Sequence, residues 1–233
     1  MRNQWSNPKL TETYTEKGTD PNINWYEYAV NLPDLFALIP STTQTLLDFG
    51  SGPGNITNIL SETIPHVEGC DSSLAMLKEA KHSFPSIKFF EWDGLEPLTS
   101  KTQYYDAVFS KLTVHFVEAL GKFAYQMGSI LKPQGNLIFS VPHPIRTIGK
   151  IGEASYWQQV TYEEEIGTLG VSATFIHRSL QNYVQPFTEH GFVLTALTEP
   201  TISSEQIQKY RVDEDYAKIP RRLNCRFQKT LAN

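Results

Sequence analysis

The stretch LLDFGSGPGN, residues Leu46 to Asn55, joins a short apolar run to a loop with three glycines in five positions. The apolar run predicts a buried β-strand, and helical periodicity returns directly after the loop. Open α/β sheets bind ligands with this strand–turn–helix unit, at the carboxyl end of the strand. Glycine allows the loop backbone to approach a ligand closely because it has no Cβ. The stretch therefore predicts a ligand site at this strand end.

The details of the loop restrict the kind of ligand. A dinucleotide fingerprint needs G-x-G-x-x-G, and the position of its third glycine is occupied here by Asn55. Pro53 also lacks a backbone N–H that a pyrophosphate could use. Asp48, two residues before Gly50, would repel phosphate and suits an amino group. The loop thus favours an adenosine-like ligand without a pyrophosphate.

Strand and helix patterns alternate along most of the chain, which predicts a parallel sheet covered on both faces. The predicted strands are 45–49, 67–71, 87–91, 105–110, 136–141, 192–199 and 222–230. Helices are predicted over 23–39, 56–64, 116–131 and 178–190. A further helix, capped by Ser72 or Ser73, is predicted to end near residue 82. The predicted fold is α/β and doubly wound, with seven mostly parallel strands. The last strand is expected to be antiparallel and to lie at the edge.

We expect one domain without a linker or repeat. Residues 1–40 would form a helical cap, 41–141 the ligand-binding core and 178–233 the C-terminal part of the core. Residues 142–177 break the alternation with Pro-His-Pro, four glycines and an acidic run, so we interpret them as a lid inserted after the fifth strand.

Composition excludes several classes of protein. The chain has 233 residues, 40% of them apolar and 19% charged, as in an ordinary globular domain. A net charge of −5 argues against a nucleic-acid groove. No apolar run suits a signal peptide or a membrane span, and Cys70 and Cys225 fall in strand patterns, which predicts buried, reduced thiols in the cytoplasm. No metal-ligand spacing is visible, and we expect no metal.

Four motifs in order resemble the class I S-adenosylmethionine-dependent methyltransferases, in particular the small-molecule branch of the type 11/12 kind. They are LLDFGSGPGN, the acids Asp71 and Asp93 that follow the second and third strands, YYDAVFSKLTVHF, and LKPQGNLIFSVP with Gln134 in place of a glycine. The resemblance covers residues 24–142 well and the rest loosely. It implies a Rossmann-like sheet and S-adenosylmethionine as cofactor, with S-adenosylhomocysteine as product.

The resemblance also implies roles for individual residues. Asp71 would hold the two ribose hydroxyls, and Asp93 the adenine amino group. Simpler interpretations are also open: Asp71 could be a helix cap, Met76 a core residue and Trp92 a packed surface aromatic. The full set of predicted cofactor residues is Asp48, Gly50, Ser51, Gly52, Gly54, Asp71, Ser72, Met76, Trp92, Asp93, Gly94, Ser110 and Lys111.

The acceptor side is predicted less sharply. Methyl transfer from a sulfonium mainly needs alignment, and a base only where the nucleophile must lose a proton. Candidate catalytic histidines are, in order of preference, His143, His115 and His177, each with a structural hydrogen-bonding role as the alternative. The predicted lid residues are Tyr14, Tyr26, Tyr156, Trp157 and Arg178.

The predicted function is methyl transfer to a nitrogen or oxygen of a small molecule by a monomer or homodimer, without nucleic acid or membrane. Three alternatives stay open: a methyltransferase of RNA or protein, a cofactor-binding protein without catalysis, and a nicotinamide oxidoreductase. The first would need a basic extended face. The last is disfavoured by Pro53 and Asn55.

Overall fold

A seven-stranded sheet forms the centre of the molecule in the computed structural model, which describes residues 4–166 and 170–231. The strands of the chain are β1 (Thr45–Phe49), β2 (His66–Asp71), β3 (Lys88–Glu91), β4 (Tyr105–Lys111), β5 (Leu131–Pro142), β6 (Val160–Ile166), β7 (Val171–His177), β8 (Phe192–Thr198) and β9 (Arg222–Lys229). The order in the central sheet is β3-β2-β1-β4-β5-β9-β8. β1 to β5 run parallel, and β9 is antiparallel to both of its neighbours. The mostly parallel seven-stranded α/β fold is confirmed.

Helices cover both faces of this sheet. The α-helices of the described residues are α1 (Pro8–Thr13), α2 (Leu32–Ala37), α3 (Asn55–Ser61), α4 (Leu74–Ser83), α5 (Leu120–Ile130), α6 (Pro144–Ile148), α7 (Leu180–Thr188), α8 (Ser204–Tyr210) and α9 (Glu214–Ala217). On one face Phe123 of α5 and Phe187 of α7 join a large apolar core with β4, β5 and β9. On the other face Leu35 of α2 and Leu60 of α3 pack on β1 and β4. Both faces of the central strands are therefore buried, which explains their continuous apolar character.

The prediction that β9 forms the edge of the sheet is wrong. β9 lies between β5 and β8. Cys225 of β9 is opposite Phe139 of β5 on one side and Leu197 of β8 on the other. Leu223, Cys225 and Phe227 all point into the larger core and are fully buried. Their alternation with polar residues resembles an edge strand, but β8 covers the outer backbone groups. Both cysteines, Cys70 and Cys225, are buried and unpaired as predicted.

Two helices differ from the prediction. The pattern over 23–39 divides into a π-helical turn, Glu27–Asn31, and α2, whose first turn contains Pro33. Proline is tolerated there because the first helical N–H groups have no partner within the helix. The helix predicted from residue 116 begins at Leu120, since Val114–Phe116 form a separate 3₁₀ turn. The polar entry segment holds α1 and a second π-helical turn, Tyr14–Gly18.

The segment predicted as a lid contains regular structure that its sequence pattern did not indicate. α6 follows β5 directly, and β6 and β7 form a separate two-stranded antiparallel sheet. Residues 167–169, which follow β6 in the sequence, lie outside the described residues. The division of the chain into cap, core and lid stays a prediction. Within the described ranges, no helix is both long enough and apolar enough to cross a membrane.

Candidate functional site

A cleft of about 430 Å³ opens at the carboxyl ends of β1 to β4. Parallel strands end at the same rim of the sheet, so the residues that follow them meet there. The residues that line the cleft are Gln4, Trp5, Tyr14, Phe49, Gly50, Gly52, Asp71, Ser72, Met76, Glu91, Trp92, Asp93, Leu95, Lys111, Leu112, Thr113, Phe116, Val117 and Glu118. Nine of the predicted cofactor and lid residues are in this set: Tyr14, Gly50, Gly52, Asp71, Ser72, Met76, Trp92, Asp93 and Lys111.

The three loop glycines have positive φ angles but different surroundings. A Cβ on Gly50 would lie 2.1 Å from Oγ1 of Thr113, and one on Gly54 would lie 2.9 Å from the ring of Phe89. A Cβ on Gly52 would approach only the Tyr14 ring, at 3.9 Å, on the cleft side. Gly50 and Gly54 are therefore required by packing within the chain. Gly52 keeps the cleft open where the backbone would meet a ligand.

Asp71, the last residue of β2, holds the glycine loop in place. Its Oδ2 accepts a hydrogen bond from the Gly52 N–H at 2.9 Å, and its Oδ1 accepts one from Ser73 N–H at 2.8 Å. Ser73 is the N-cap of α4, so Asp71 does not cap this helix but accepts from the N–H of the cap residue. Burial raises the pKa of Asp71, although the backbone donors oppose this shift. Each carboxylate oxygen keeps acceptor capacity toward the cleft.

The β3 end of the cleft is aromatic and acidic. The Trp92 ring is buried, packs edge-on against Phe49 at 5.9 Å and donates its indole N–H to the Glu96 carbonyl. Asp93 accepts from the Leu95 backbone N–H at 2.8 Å, which fixes a tight turn and leaves its carboxylate exposed along the cleft wall. This arrangement suits a flat ring with an exocyclic amine.

Lys111, the last residue of β4, lies at the opposite end of the cleft. Its ammonium is 3.9 Å from Oε2 of Glu27, the nearest carboxylate in the described part of the chain. Burial lowers the pKa of Lys111, but Tyr14, Glu27 and Tyr28 outweigh it, so the net pKa is raised. The cleft is thus acidic toward β3 and cationic toward β4.

Five predicted cofactor residues support the cleft wall from behind and do not line it. Asp48 is buried, and its Oδ2 accepts from the Thr57 hydroxyl at 2.6 Å. Burial raises the pKa of Asp48 to about 7, against the effects of Thr57 and Lys111. The others are Ser51, Gly54, Gly94 and Ser110, whose hydroxyl donates to the Phe49 carbonyl.

The three predicted catalytic histidines lie outside this cleft, and two of them are engaged within the chain. His143 caps α6 by accepting from Ile145 N–H through Nδ1, and its Nε2 is 2.6 Å from the Glu199 carboxylate. His177 contacts the Thr147 hydroxyl at 2.6 Å and the Tyr156 carbonyl at 3.0 Å. Their catalytic roles stay predictions, but both rings already have structural partners.

His115 differs from the other two. It is buried between the rings of Phe116 and Phe175, and neither ring nitrogen has a hydrogen-bond partner among the described residues. Burial, with Arg222 and Arg178 adding to it, holds the pKa of His115 well below its usual value. Buried polar atoms without partners are uncommon and point to a missing ligand or water. Among the three candidates, His115 is the one whose ring nitrogens have no partner in the described residues, and its catalytic role stays a prediction.

Four predicted lid residues lie away from the cofactor cleft. Tyr26 is buried beneath two arginines, and its hydroxyl donates to the Pro200 carbonyl. Tyr156 accepts from Leu180 N–H, whereas Trp157 is 68% exposed. Arg178 is almost fully buried and donates to the carbonyls of residues 115, 117 and 118. Arg178 therefore shapes the segment whose residues 116–118 line the cleft.

Sequence reasoning did not commit to several cleft residues. Trp5 packs against Tyr14 and Phe116, and its carbonyl accepts from Ser73, which brings the N-terminal segment over the cleft. Gln4 exchanges two hydrogen bonds with the backbone of Thr174 in the lid hairpin. No motif indicates the contacts with Ser73 and Thr174, since these partners lie 68 and 170 residues away in sequence.

Comparison with known proteins agrees with this geometry. Residues 47–139 match the sequence model of a family described as a methyltransferase domain. A trans-aconitate 2-methyltransferase of Escherichia coli is 31% identical over 114 residues, which is 47% of this chain and 44% of that protein. This chain thus aligns with less than half the length of that relative.

Solved structures resemble the whole architecture. An S-adenosylmethionine-dependent methyltransferase from Mesorhizobium loti superposes with a TM-score of 0.72 at 23% identity, over 84% of this chain and 96% of that one. A geranyl diphosphate C-methyltransferase from Streptomyces coelicolor, in complex with S-adenosyl-L-homocysteine, superposes with a TM-score of 0.63 at 14% identity, over 86% and 78%. These identities establish the fold alone.

The sheet order and the glycine loop agree with the family match. Residues 47–139 match the methyltransferase domain, and the fold of the chain is the one found in S-adenosylmethionine-dependent methyltransferases. A side chain is absent from the cleft at Gly52, and the carboxylates of Asp71 and Asp93 line it.

Proposed function

We propose that this protein transfers a methyl group from S-adenosylmethionine to a nitrogen or oxygen of a small-molecule acceptor. The observation that carries the proposal is the polarity of the cleft. Asp71 and Asp93 lie at one end, Lys111 at the other, and Gly52 between them without a side chain. S-adenosylmethionine has the matching order: hydroxyls and an amine at the nucleoside end, and a carboxylate at the amino-acid end.

Each cleft residue then has a defined role. Asp71 accepts hydrogen bonds from the ribose hydroxyls, and charge-assisted bonds of this kind are the stronger ones. Asp93 accepts from the adenine amine, while Trp92 and Met76 contact the ring faces. The cofactor supplies an electrophilic methyl group on a sulfonium. The chain's part in the transfer is to align the acceptor in line with it and to exclude water.

The acceptor side consists of elements beyond β4. Phe116, Val117 and Glu118 line the cleft, and the adjacent His115, whose carbonyl accepts from Arg178, is buried beside them. His115 would orient the acceptor through its free nitrogens, because a lowered pKa keeps the ring neutral and makes it a weak base. The relative named for trans-aconitate supports a small-molecule acceptor. A net charge of −5 disfavours RNA.

Calorimetric titration with S-adenosylmethionine, S-adenosylhomocysteine and NADH tests the cofactor. We expect the first two to bind and NADH not to bind. Binding of NADH alone would contradict the proposal and favour an oxidoreductase. Transfer of a labelled methyl group to a panel of small molecules, with tRNA and total protein as parallel acceptors, then tests the acceptor class. Labelling of RNA or protein alone, or binding without any transfer, would each overturn the proposed activity.

A further inference from the structure

Basic side chains gather where the N-terminal cap, the lid hairpin and the start of β9 meet. Two acids form ion pairs with four of these basic side chains. Glu164 pairs with Arg146 at 2.9 Å and Lys150 at 3.4 Å, and Glu27 pairs with Arg222 and Lys111. The fifth is Arg221, which forms no ion pair in the described residues. The region is strongly cationic in a chain whose net charge is −5.

Arg221 is the exceptional member of this cluster. Its side chain donates no hydrogen bond within the described part of the chain, although the residue is half-buried. The guanidinium lies 3.5 Å over the Tyr216 ring and 5.9 Å from the Tyr26 ring, whose other neighbour is Arg222 at 5.8 Å. Stacking holds the plane of the guanidinium without using its N–H groups, so the donor fork stays available.

The positive charges of Arg221 and Arg222 repel each other, so a nearby anion would stabilise both. Arg222 already has one, because Nε and a terminal nitrogen both contact Oε1 of Glu27, at 2.8 and 2.5 Å. The other oxygen of Glu27 accepts from Asn31 at 2.8 Å. Glu27 is therefore fully engaged, and no carboxylate of the described chain is left to neutralise Arg221.

The place of Arg221 in the fold connects it to methyl transfer. Its carbonyl accepts from His143 N–H, just past the end of β5, and the next residue is opposite Pro142 at that strand end. Two ion pairs, Arg222–Glu27 and Glu27–Lys111, connect this strand end to Lys111 in the cofactor cleft. The carboxyl ends of the strands form the ligand-binding rim of such sheets. Arg221 thus lies at this rim, beside the carboxyl end of β5.

We propose that Arg221 binds a carboxylate of the methyl acceptor, so that the substrate of this protein is a carboxylic acid. This inference rests on the proposed function. The planar fork of Arg221 donates two parallel N–H bonds to the carboxylate, a geometry that a lysine cannot reproduce. The anion also supplies the negative charge that the cluster lacks.

The test uses the full chain saturated with S-adenosylhomocysteine and a set of probes. The probes are benzoate, succinate and trans-aconitate, each compared with its neutral methyl ester by calorimetry. We expect at least one acid to bind more tightly than its ester. Arg221→Met should weaken that binding roughly 10- to 100-fold, the range for a lost charge-assisted hydrogen bond. Arg221→Lys should restore it only in part.

Lys218→Met is the matched control, because Lys218 is exposed on the same segment and its ammonium pairs with Asp215. It should bind the probes as the parent protein does, and both variants should keep the affinity for S-adenosylhomocysteine. If no acid binds better than its ester, or if Arg221→Met binds it equally well, the inference is wrong and the proposed function stands. If S-adenosylhomocysteine itself does not bind, the proposed function fails first.

Discussion

The Gly52 N–H donates a hydrogen bond of 2.9 Å to Oδ2 of Asp71. This bond joins the loop after β1 to the end of β2, so a single carboxylate both shapes the glycine loop and faces the cleft. A residue with two such functions gives correlated changes in stability and in ligand affinity. The first prediction uses this correlation.

Asp71→Ala should weaken binding of S-adenosylhomocysteine and also destabilise the protein. The variant loses acceptors for the Gly52 and Ser73 N–H groups, at a cost of about 1–3 kcal/mol in the free energy of unfolding. The ribose bonds contribute about 2–3 kcal/mol more to binding. Urea unfolding and calorimetry measure the two effects. An unchanged affinity in the folded variant would refute the ribose assignment.

Gly50 and Gly52 should respond differently to added side chains. Gly50→Ala places a Cβ against Thr113 and should cost about 1–3 kcal/mol of stability. Gly52→Val projects into the cleft and should reduce affinity for S-adenosylhomocysteine at least tenfold, beyond the cost of its positive φ. Thermal unfolding and calorimetry separate the two, with Gly149→Ala as a control that meets no atom within 4 Å. Equal effects of Gly50→Ala and Gly52→Val on affinity would contradict the distinction.

Substitution of His143 should change mainly the stability of the protein, and substitution of His115 mainly its turnover. His143→Ala removes the cap of α6 and should cost about 0.5–2 kcal/mol, with turnover little changed. His115→Phe removes two buried, unpartnered nitrogens and should leave stability equal or higher. It should nevertheless reduce methyl transfer with affinity for S-adenosylhomocysteine intact. Full activity of His115→Phe would make His115 a packing residue.

Stability should depend on pH through Asp48. Its pKa is raised to about 7 by burial, above the value of 3.8 in an unfolded chain. The folded state therefore binds the proton more tightly, and the stability from this group is complete below pH 4 and decreases as pH rises through 7. Asp48→Asn keeps an acceptor for Thr57 and should gain about 2–4 kcal/mol over the parent protein at pH 8, with little gain at pH 4. Urea unfolding at both pH values tests this, and a constant difference would contradict it.

The acids at the strand ends illustrate what local sequence can predict. Asp71 and Asp93 each follow an apolar run, and the ends of parallel strands meet at one rim, so their shared location follows from the pattern alone. Met76 and Trp92 were also placed at the site, which they line. The burial of Met76 agrees with the alternative that made it a core residue, whereas Trp92 is buried and not a surface aromatic. The lid hairpin and the inner position of β9 were missed because strand pairing depends on partners far along the chain.

By itself the sequence determined the α/β class, the glycine loop and the acids around it, because periodicity and strand-end chemistry are local properties. Only the tertiary structure decided which loop glycine keeps the cleft open, which histidine has ring nitrogens without a partner in the described residues, and which arginine of the basic cluster has no ion pair there. These properties depend on neighbours from distant segments: Thr113 beside Gly50, Phe175 beside His115, and Glu27 already engaged by Arg222. Packing decides them because each buried polar group must find its partner in three dimensions.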